Sequence, residues 1–542
     1  MYRSRCADGR GQREYITHDE STSPTVSIEG LMISIAIDAK EGRHVATADV
    51  EGAYLHADMD ETVIMVFEGE MVDYMVEANP TKYGPCVIVT KSGKKLLYVE
   101  LLKALYGSVK SALVLWYKLF TSTLAEMGFV LNPYDPCVAN KVINGKQCTI
   151  CWYVDDLKIS HVDLRVVNNI ITKIEERYGK MTVTRGNKHV YVGMDIEYTQ
   201  NGEAKICMKD YINEAIEAFP EDCTKLAKTP AGPHLFEVNN ACTKLNEEDR
   251  KIFHSITAKL LFVAKRARPD IQVPIAFLTS RVTKADKDDW KKLKRLLEYL
   301  HSTTNMALTI SIDNLSIIKT WVDAAYALHA DMRSHTGGTI MMGKGILYRK
   351  SSKQKINTKS STEAELVGAS DFLSQTIWTR NIIEAQGHTV SSSDYYQDNM
   401  SAMKMEQNGR SSAGQHSRHI NIRYFFIKDR IANGEINLIH CPTESMIADF
   451  FTIPLQGSLF KKFRDIIMGI THFSTLLVPT MAEARSVLDN DIFKAKTTTN
   501  VVTNHLPITK EKVPEAHEKK ENKLLKVSFK GTQDYFKNQS ID

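Results

Sequence analysis

The 542-residue chain contains no apolar run approaching the roughly 18 residues that a membrane-spanning helix requires. It lacks a cysteine framework as well. Its nine cysteines are odd in number and follow no disulfide spacing, so a reducing, intracellular setting is expected rather than a stapled secreted fold. Cys148 and Cys151 have the CxxC spacing of zinc and redox sites, but no second pair and no nearby histidine completes a tetrahedral set. Buried strand cysteines are the expectation there. The opening residues, MYRSRCADGRGQREY, lack the apolar core of a signal peptide and read as a chain entered in mid-domain. An excess of one charge is missing too: Lys plus Arg number 69 against 65 for Asp plus Glu. That balance does not exclude nucleic acid, because metal-binding acids can cancel a basic groove in the total. No internal repeat of fixed period is present.

What is present suits a soluble protein of about three or four domains. Hydrophobic residues make up 43% and charged residues 25%, ordinary values for a packed core. Apolar recurrence predicts a helix over residues 26–40, then a strand from His44, HVATADV. A helix is predicted from Leu101 to Met127, with Gly128 as its C-cap. CVANKVI and CTICWYV read as strands joined at Asn144-Gly145, a hairpin signal. The second strand runs into Asp155-Asp156, with LKISHV as its return partner. Thr229-Pro230 and Gly232-Pro233 punctuate the chain before helices between Arg250 and His301. One of these helices carries Lys291, Lys292, Lys294 and Arg295 away from its leucines. That face is either simply solvated or bound to a phosphate backbone. A second mixed unit starts near Leu315, with a helix from about Ser361 to Glu384 and a last helix at SMIADFF. From about Phe473 the pattern decays into a Lys-, Thr- and Asn-rich tail of disordered composition.

Two constellations of acids stand out. Asp49 ends one strand-like run, and Asp155 and Asp156 sit at the tip of a hairpin. In the second unit Asp323, Glu365, Asp398 and Asp449 recur at strand and helix ends. Nucleotide addition uses two Mg2+ ions about 3.5–4 Å apart, and Mg2+ takes hard oxygen ligands from a few carboxylates. An Asp-Asp pair alone is more often a turn. Glu365 has a rival role as well. Thr362 and Glu365 have capping-box spacing, and so do Ser360 and Glu363. Only the second cap would release Glu365, and the spacing leaves both open.

The wider motifs extend these patterns. ADVEGAYLHADMDETVIM, LLKALYGSVKSALVLWYKLF, YVDD, YVGMDIEY and FHSITAKLLFVAKRARPDI are followed by WVDAAYALHADMRSHTGG, KSSTEAELVGAS, YYQDNMSA and PTESMIADFFTIPL. In that order they resemble the reverse transcriptase and ribonuclease H region of copia-type retrotransposon Pol polyproteins. The resemblance implies an α+β right-hand polymerase followed by a ribonuclease H-like mixed-sheet domain. Its divisions are truncated fingers and palm over 1–235, a helical thumb or connection over 236–314, the nuclease over 315–472 and a tail over 473–542.

It implies polymerase metal ligands at Asp49, Asp155 and Asp156, and nuclease metal ligands at Asp323, Glu365, Asp398 and Asp449, with two Mg2+ (or Mn2+) ions per site. Tyr54 falls where the family places an aromatic that excludes a ribose 2′-hydroxyl; the spacing alone equally allows a half-buried strand tyrosine. Gly107 and Lys110 fall beside template and nucleotide. Arg3 or Arg5 is either a triphosphate contact or a solvated terminal arginine. RNA template, DNA primer, RNA–DNA hybrid and dNTPs are the implied partners, and a cytoplasmic virus-like particle, with the nucleus as an alternative, the implied location. The competing expectation is a decayed or host-adopted nucleic-acid-binding remnant. Departures from the family are SVKSALVL before Trp116, Phe450 after Asp449, and Ile453 in place of a lysine before Pro454. His440 reads as a strand residue; His416 and His419 suit hydrogen bonding or nucleic-acid contact better than zinc.

Overall fold

Helix Ile28–Glu41 is set by its ends. Ser27 is extended, and its Oγ accepts from Gly30 N at 3.0 Å; Gly42 stops the helix at φ +62°, the left-handed conformation a glycine tolerates best. The computed structural model to which it belongs describes residues 23–60, 62–105, 112–408 and 421–476. Arg3, Arg5, Gly107, Lys110, His416, His419 and the tail from residue 477 lie outside the described residues.

After this helix come β1 (His44–Asp49) and a small sheet of β2 (Ile64–Glu68), β3 (Val87–Val89) and β4 (Lys95–Glu100), in the order β2–β4–β3. Next are β5 (Val130–Asn132), β6 (Asp135–Ile143), β7 (Lys146–Tyr153), β8 (Asp156–His161) and β9 (Thr182–Gly186). With β1 they form one antiparallel sheet, ordered β5–β6–β7–β8–β1–β9. The turn between β6 and β7 is the predicted Asn144-Gly145, both at positive φ (52° and 72°), as a tight hairpin requires. Cys148 and Cys151 lie buried on β7, and burial pushes the Cys148 thiol up to about 12.

A four-stranded antiparallel sheet follows, from β10 (Lys188–Tyr191), β11 (Met194–Tyr198), β12 (Glu203–Cys207) and β13 (Leu308–Ser311). Helices Glu247–Ala264, Gln272–Thr279 and Lys287–Ser302 intervene before β13. The last sheet has β14 (Ile317–Ala325), β15 (His335–Met341), β16 (Tyr348–Lys353), β17 (Ser392–Gln397) and β18 (Asn437–His440), ordered β16–β15–β14–β17–β18. Its first three strands are antiparallel, and β17 and β18 run parallel to β14. The chain is therefore mixed α/β, as expected. No helix among the described residues is long and apolar enough to cross a membrane.

Two predicted helices are corrected. The helix expected from Leu101 is described from Ala112 to Glu126, and residues 101–105 are not helical. Backbone pairing claims them instead: Leu101 N donates to Val63 O, Met59 N to Leu102 O, and Ala104 N to Ala57 O. SMIADFF forms only a 3-10 turn, Ile447–Phe451. On the cationic face of helix Lys287–Ser302, Lys291 is exposed and the other three cations are engaged within the chain. Lys292 donates to Glu237 O at 2.7 Å, Lys294 to Glu221 at 2.7 Å and Arg295 to Thr229 Oγ1 at 2.8 Å.

A buried charge cluster fixes the register of the first sheet. Lys158 on β8 is fully buried; its ammonium pairs with Asp38 on helix Ile28–Glu41 and donates to Ser34 Oγ at 2.9 Å. Arg43 lies 3.6 Å from Asp38 and donates to Thr149 on β7 at 2.9 Å. A one-residue slip of β8 would turn Lys158 to the opposite face, away from Asp38. Breaking a buried pair leaves an uncompensated charge, at a cost of about 3–5 kcal/mol. Lys158→Met is therefore expected to lower unfolding stability in urea by roughly 3 kcal/mol, with a second change, Asp38→Leu, restoring much of it. A single variant as stable as the parent would remove this pair from the account of the register.

Candidate functional site

In the antiparallel register of β1 and β8, Asp49 lies directly opposite Asp156. Directly paired residues share one face of the sheet, with Cβ atoms about 4.5–5.5 Å apart, and like charges there are destabilising. The β7–β8 turn adds Asp155. Burial and then the neighbouring Asp155 and Asp49 push the Asp156 carboxyl up to about 6. Asp49 is raised by burial, then by Asp155 and Glu51. Ionisation of Asp49 and Asp156 is thus disfavoured, which a divalent cation beside them would relieve.

The turn that carries Asp155 is strained. Val154 has φ +62°, an outlier for a β-branched residue. Three contacts hold the backbone around it. The Trp116 indole N–H donates to Val154 O at 2.7 Å, Tyr191 Oη reaches Cys151 O and Asp156 O at 3.2 Å each, and Val50 N donates to Asp155 O at 3.2 Å. Trp116 is itself fixed between Phe120 and Tyr178. The sequence offered no reason to single out Trp116 or Tyr191 as clamps; only their place in the motifs marked them. Tyr54 is buried, on the short helix Ala53–His56 rather than on a strand. Gly52, at φ +64°, turns the chain into that helix directly after the strand bearing Asp49.

The second constellation converges from four elements. Asp323 lies on β14, Glu365 on helix Ser361–Ala385, Asp398 just after β17 and Asp449 in the Ile447–Phe451 turn. Ligand oxygens of Asp323, Glu365 and Asp398 all lie within 4.8 Å of one another. Asp449 joins them through a hydrogen bond to Asp323. Ser360 is the helix cap: its Oγ accepts from Glu363 N at 3.2 Å, and Glu363 in turn accepts from Lys359 N at 2.7 Å. Glu365 is thus free of capping, and its Oε2 is buried with no hydrogen-bond partner. Burial, then Asp323 and Asp398, hold Glu365 well above the usual carboxylate range. Burial, Asp323 and Asp398 likewise push Asp449 up to about 8. An unpartnered buried carboxylate oxygen is costly, and a cluster of hard oxygens with that vacancy fits divalent cations.

Two glycines that sequence reasoning left unexplained shape this site. Gly337 pairs with Asp323 across β14 and β15. A Cβ on it would stand 2.7 Å from Thr452 Cγ2 and 2.8 Å from Ala448 O. Its bareness lets the Asp449 turn lie on the strand, where Thr452 Oγ1 donates to Asp323. A Cβ on Gly338 would meet the Phe372 ring at 2.4 Å, so that glycine admits the helix bearing Glu365. The adjacent Gly-Gly was the available signal.

Residues 1–231 match the family model for reverse transcriptase (RNA-dependent DNA polymerase). The chain is 25% identical over 466 residues to the retrovirus-related Pol polyprotein from transposon TNT 1-94 of Nicotiana tabacum, covering 85% of this chain and 33% of that protein. It is 25% identical over 471 residues to the Pol polyprotein from transposon RE1 of Arabidopsis thaliana, covering 86% and 30%. The putative transposon Ty5-1 protein of Saccharomyces cerevisiae matches at 25% over 328 residues, 60% of this chain and 98% of that one. The chain thus spans about a third of the length of the first two relatives. Among solved structures, a foamy viral protease-reverse transcriptase in complex with RNA/DNA hybrid aligns at 12% identity and a TM-score of 0.44, covering 81% of this chain and 48% of that chain. Residues 1–231 thus carry the reverse transcriptase family match, and most of the chain is similar to the Pol polyproteins of copia-type retrotransposons.

Proposed function

We propose that the chain is an RNA- and DNA-directed DNA polymerase joined to a ribonuclease H. In this proposal residues 1–235 are fingers and palm, 236–314 thumb or connection, and 315–472 the nuclease. The observation that carries the proposal is the direct opposition of Asp49 and Asp156 beside Asp155, within the region that matches the reverse transcriptase family. The second acidic cluster supports the nuclease half.

Asp49, Asp155 and Asp156 would hold the divalent cations of the first site, and Asp323, Glu365, Asp398 and Asp449 those of the second. When bound, Mg2+ or Mn2+ supplies positive charge to the attacking and leaving oxygens of an in-line displacement. The protein's own share is placement. Trp116 and Tyr191 fix the strained turn, so Asp155 and Asp156 need no rearrangement as charge develops. Tyr54, buried on the short helix that follows the strand bearing Asp49, would oppose a ribose 2′-hydroxyl of an incoming nucleotide. In the nuclease, Asp323 is the hub on which Glu365, Asp449 and Thr452 converge. RNA template, DNA primer, hybrid and dNTPs are the proposed substrates.

The two sites separate in a pair of assays. Asp155→Asn is expected to lower primer extension on an RNA template by roughly two orders of magnitude, the scale of losing a charge-stabilising group, while hybrid cleavage persists. Glu365→Gln is expected to give the reverse. Absence of both activities from the parent across a magnesium titration would leave only the nucleic-acid-binding remnant. Trp116→Phe removes one hydrogen bond to the strained turn, so extension should fall about tenfold and cleavage should not change.

The acids also predict how stability depends on pH. Asp449 and Asp156 bind protons more tightly folded than unfolded, with values of about 8 and about 6 against about 3.9 for a free aspartate. Between these limits the folded chain carries more protons than the unfolded one, so stability falls as pH rises. The metal-free protein should therefore melt at lower temperature at pH 8 than at pH 5, and added Mg2+ should raise the melting temperature more at pH 8. A Mg2+ effect equal at both values would contradict cation binding by these carboxylates.

A further inference from the structure

The Asp449 turn is held on two sides. On one side Thr452 meets Asp323. On the other, the residues after Asp449 dock on the segment that precedes the last sheet. Gln456 Nε2 donates to Ala231 O at 3.0 Å, and Gln456 Oε1 lies 3.2 Å from Thr229 Oγ1. Thr229 is buried and accepts from Arg295 at 2.8 Å. Beside this polar tie, Phe450 stacks on Phe460 with ring centroids 5.3 Å apart, and Phe460 meets the fully buried Tyr299 edge-on at 6.0 Å. The cleft between Pro230, Pro274, Phe450 and Ile453 has a volume of about 10 Å³, room for no more than about one water. It is a packed seam rather than a ligand pocket.

We propose that Arg295 and Gln456 are positioning residues for hybrid cleavage, tying the Asp449 turn through Thr229 to helix Lys287–Ser302. The inference rests on the nuclease assignment above and adds that the acidic site is completed from outside its own sheet. Asp323, Glu365 and Asp398 sit on or directly after regular elements, whereas Asp449 rides on a 3-10 turn of five residues. Such a turn has few internal hydrogen bonds of its own, so its placement comes from what it docks on. Of the side chains that depart from the family pattern, Phe450 is buried in the seam and Ile453 lines its exposed edge.

The test uses the full chain carrying Arg295→Met with Gln456→Leu, which cuts the polar tie and keeps side-chain volume. Hybrid cleavage is expected to fall about tenfold, the effect of losing a hydrogen bond or two. The Mg2+ concentration for half-maximal cleavage should rise, and primer extension should stay at the parent rate. Amide exchange at Thr452, Ile453 and Leu455 should quicken. Arg295→Lys, which can still reach Thr229, should restore cleavage. Unchanged exchange at those amides, or cleavage and extension lost together with a general fall in melting temperature, would overturn the proposal. A parent chain that cleaves no hybrid would refute the nuclease assignment instead, and the exchange measurement would still decide whether the seam positions the turn.

Discussion

Carboxylates gathered into a small volume repel one another, and a fold that gathers them must hold them there against that repulsion. Both acidic sites are restrained by neutral groups. Around Asp155 and Asp156 the restraints are an indole N–H, a phenol and a backbone amide, all directed at the hairpin's carbonyls. Around Asp323 they are a threonine hydroxyl and two bare glycines. A lysine or arginine in either place would lower the acids' affinity for protons and for metal alike. The buried ion pair of Lys158 with Asp38 is two residues from Asp156 along β8 and turned toward a helix. It fixes strand register.

Strand alternation made much of this legible. The hairpin at Asn144-Gly145, the strand from His44 and the acid-bearing strand ends could all be read from apolar patterning and turn residues, because each rests on local chemistry. The cap of helix Ser361–Ala385 could be narrowed to Ser360 or Thr362 but no further. The two differ only in which hydroxyl faces the helix end, and it is that of Ser360. Helical propensity misled at Leu101–Leu105, where the pull of residues 57–63 outweighs a run of good helix formers. It misled again at SMIADFF, which is helical in composition but held in a tight turn by contacts more than 100 residues away.

The small sheet of β2, β3 and β4 and the glycine contacts were illegible for a related reason. A glycine that admits a remote turn has no local signature, since the atoms it would obstruct come from another part of the chain. The same holds for Trp116 and Tyr191. Their hydrogen bonds end on backbone carbonyls 38 and 35–40 residues away, and no carbonyl is visible in a sequence. Motif resemblance marked these positions as belonging together, and only geometry gave each a task.

The strained Val154 links these points. A hairpin whose first central residue has positive φ normally carries glycine there, and glycine would remove the strain. It would also remove the steric reason for the turn to hold one conformation, since glycine occupies many. Valine restricts the turn, and the Trp116 bond to Val154 O keeps that costly conformation populated. Rigidity at the tip is worth its cost only if the two aspartates beyond it must stand in one place, which is the demand that divalent-cation chemistry makes. In the second site Asp449 sits on a 3-10 turn of five residues that docks on a seam, with few hydrogen bonds of its own to stiffen it.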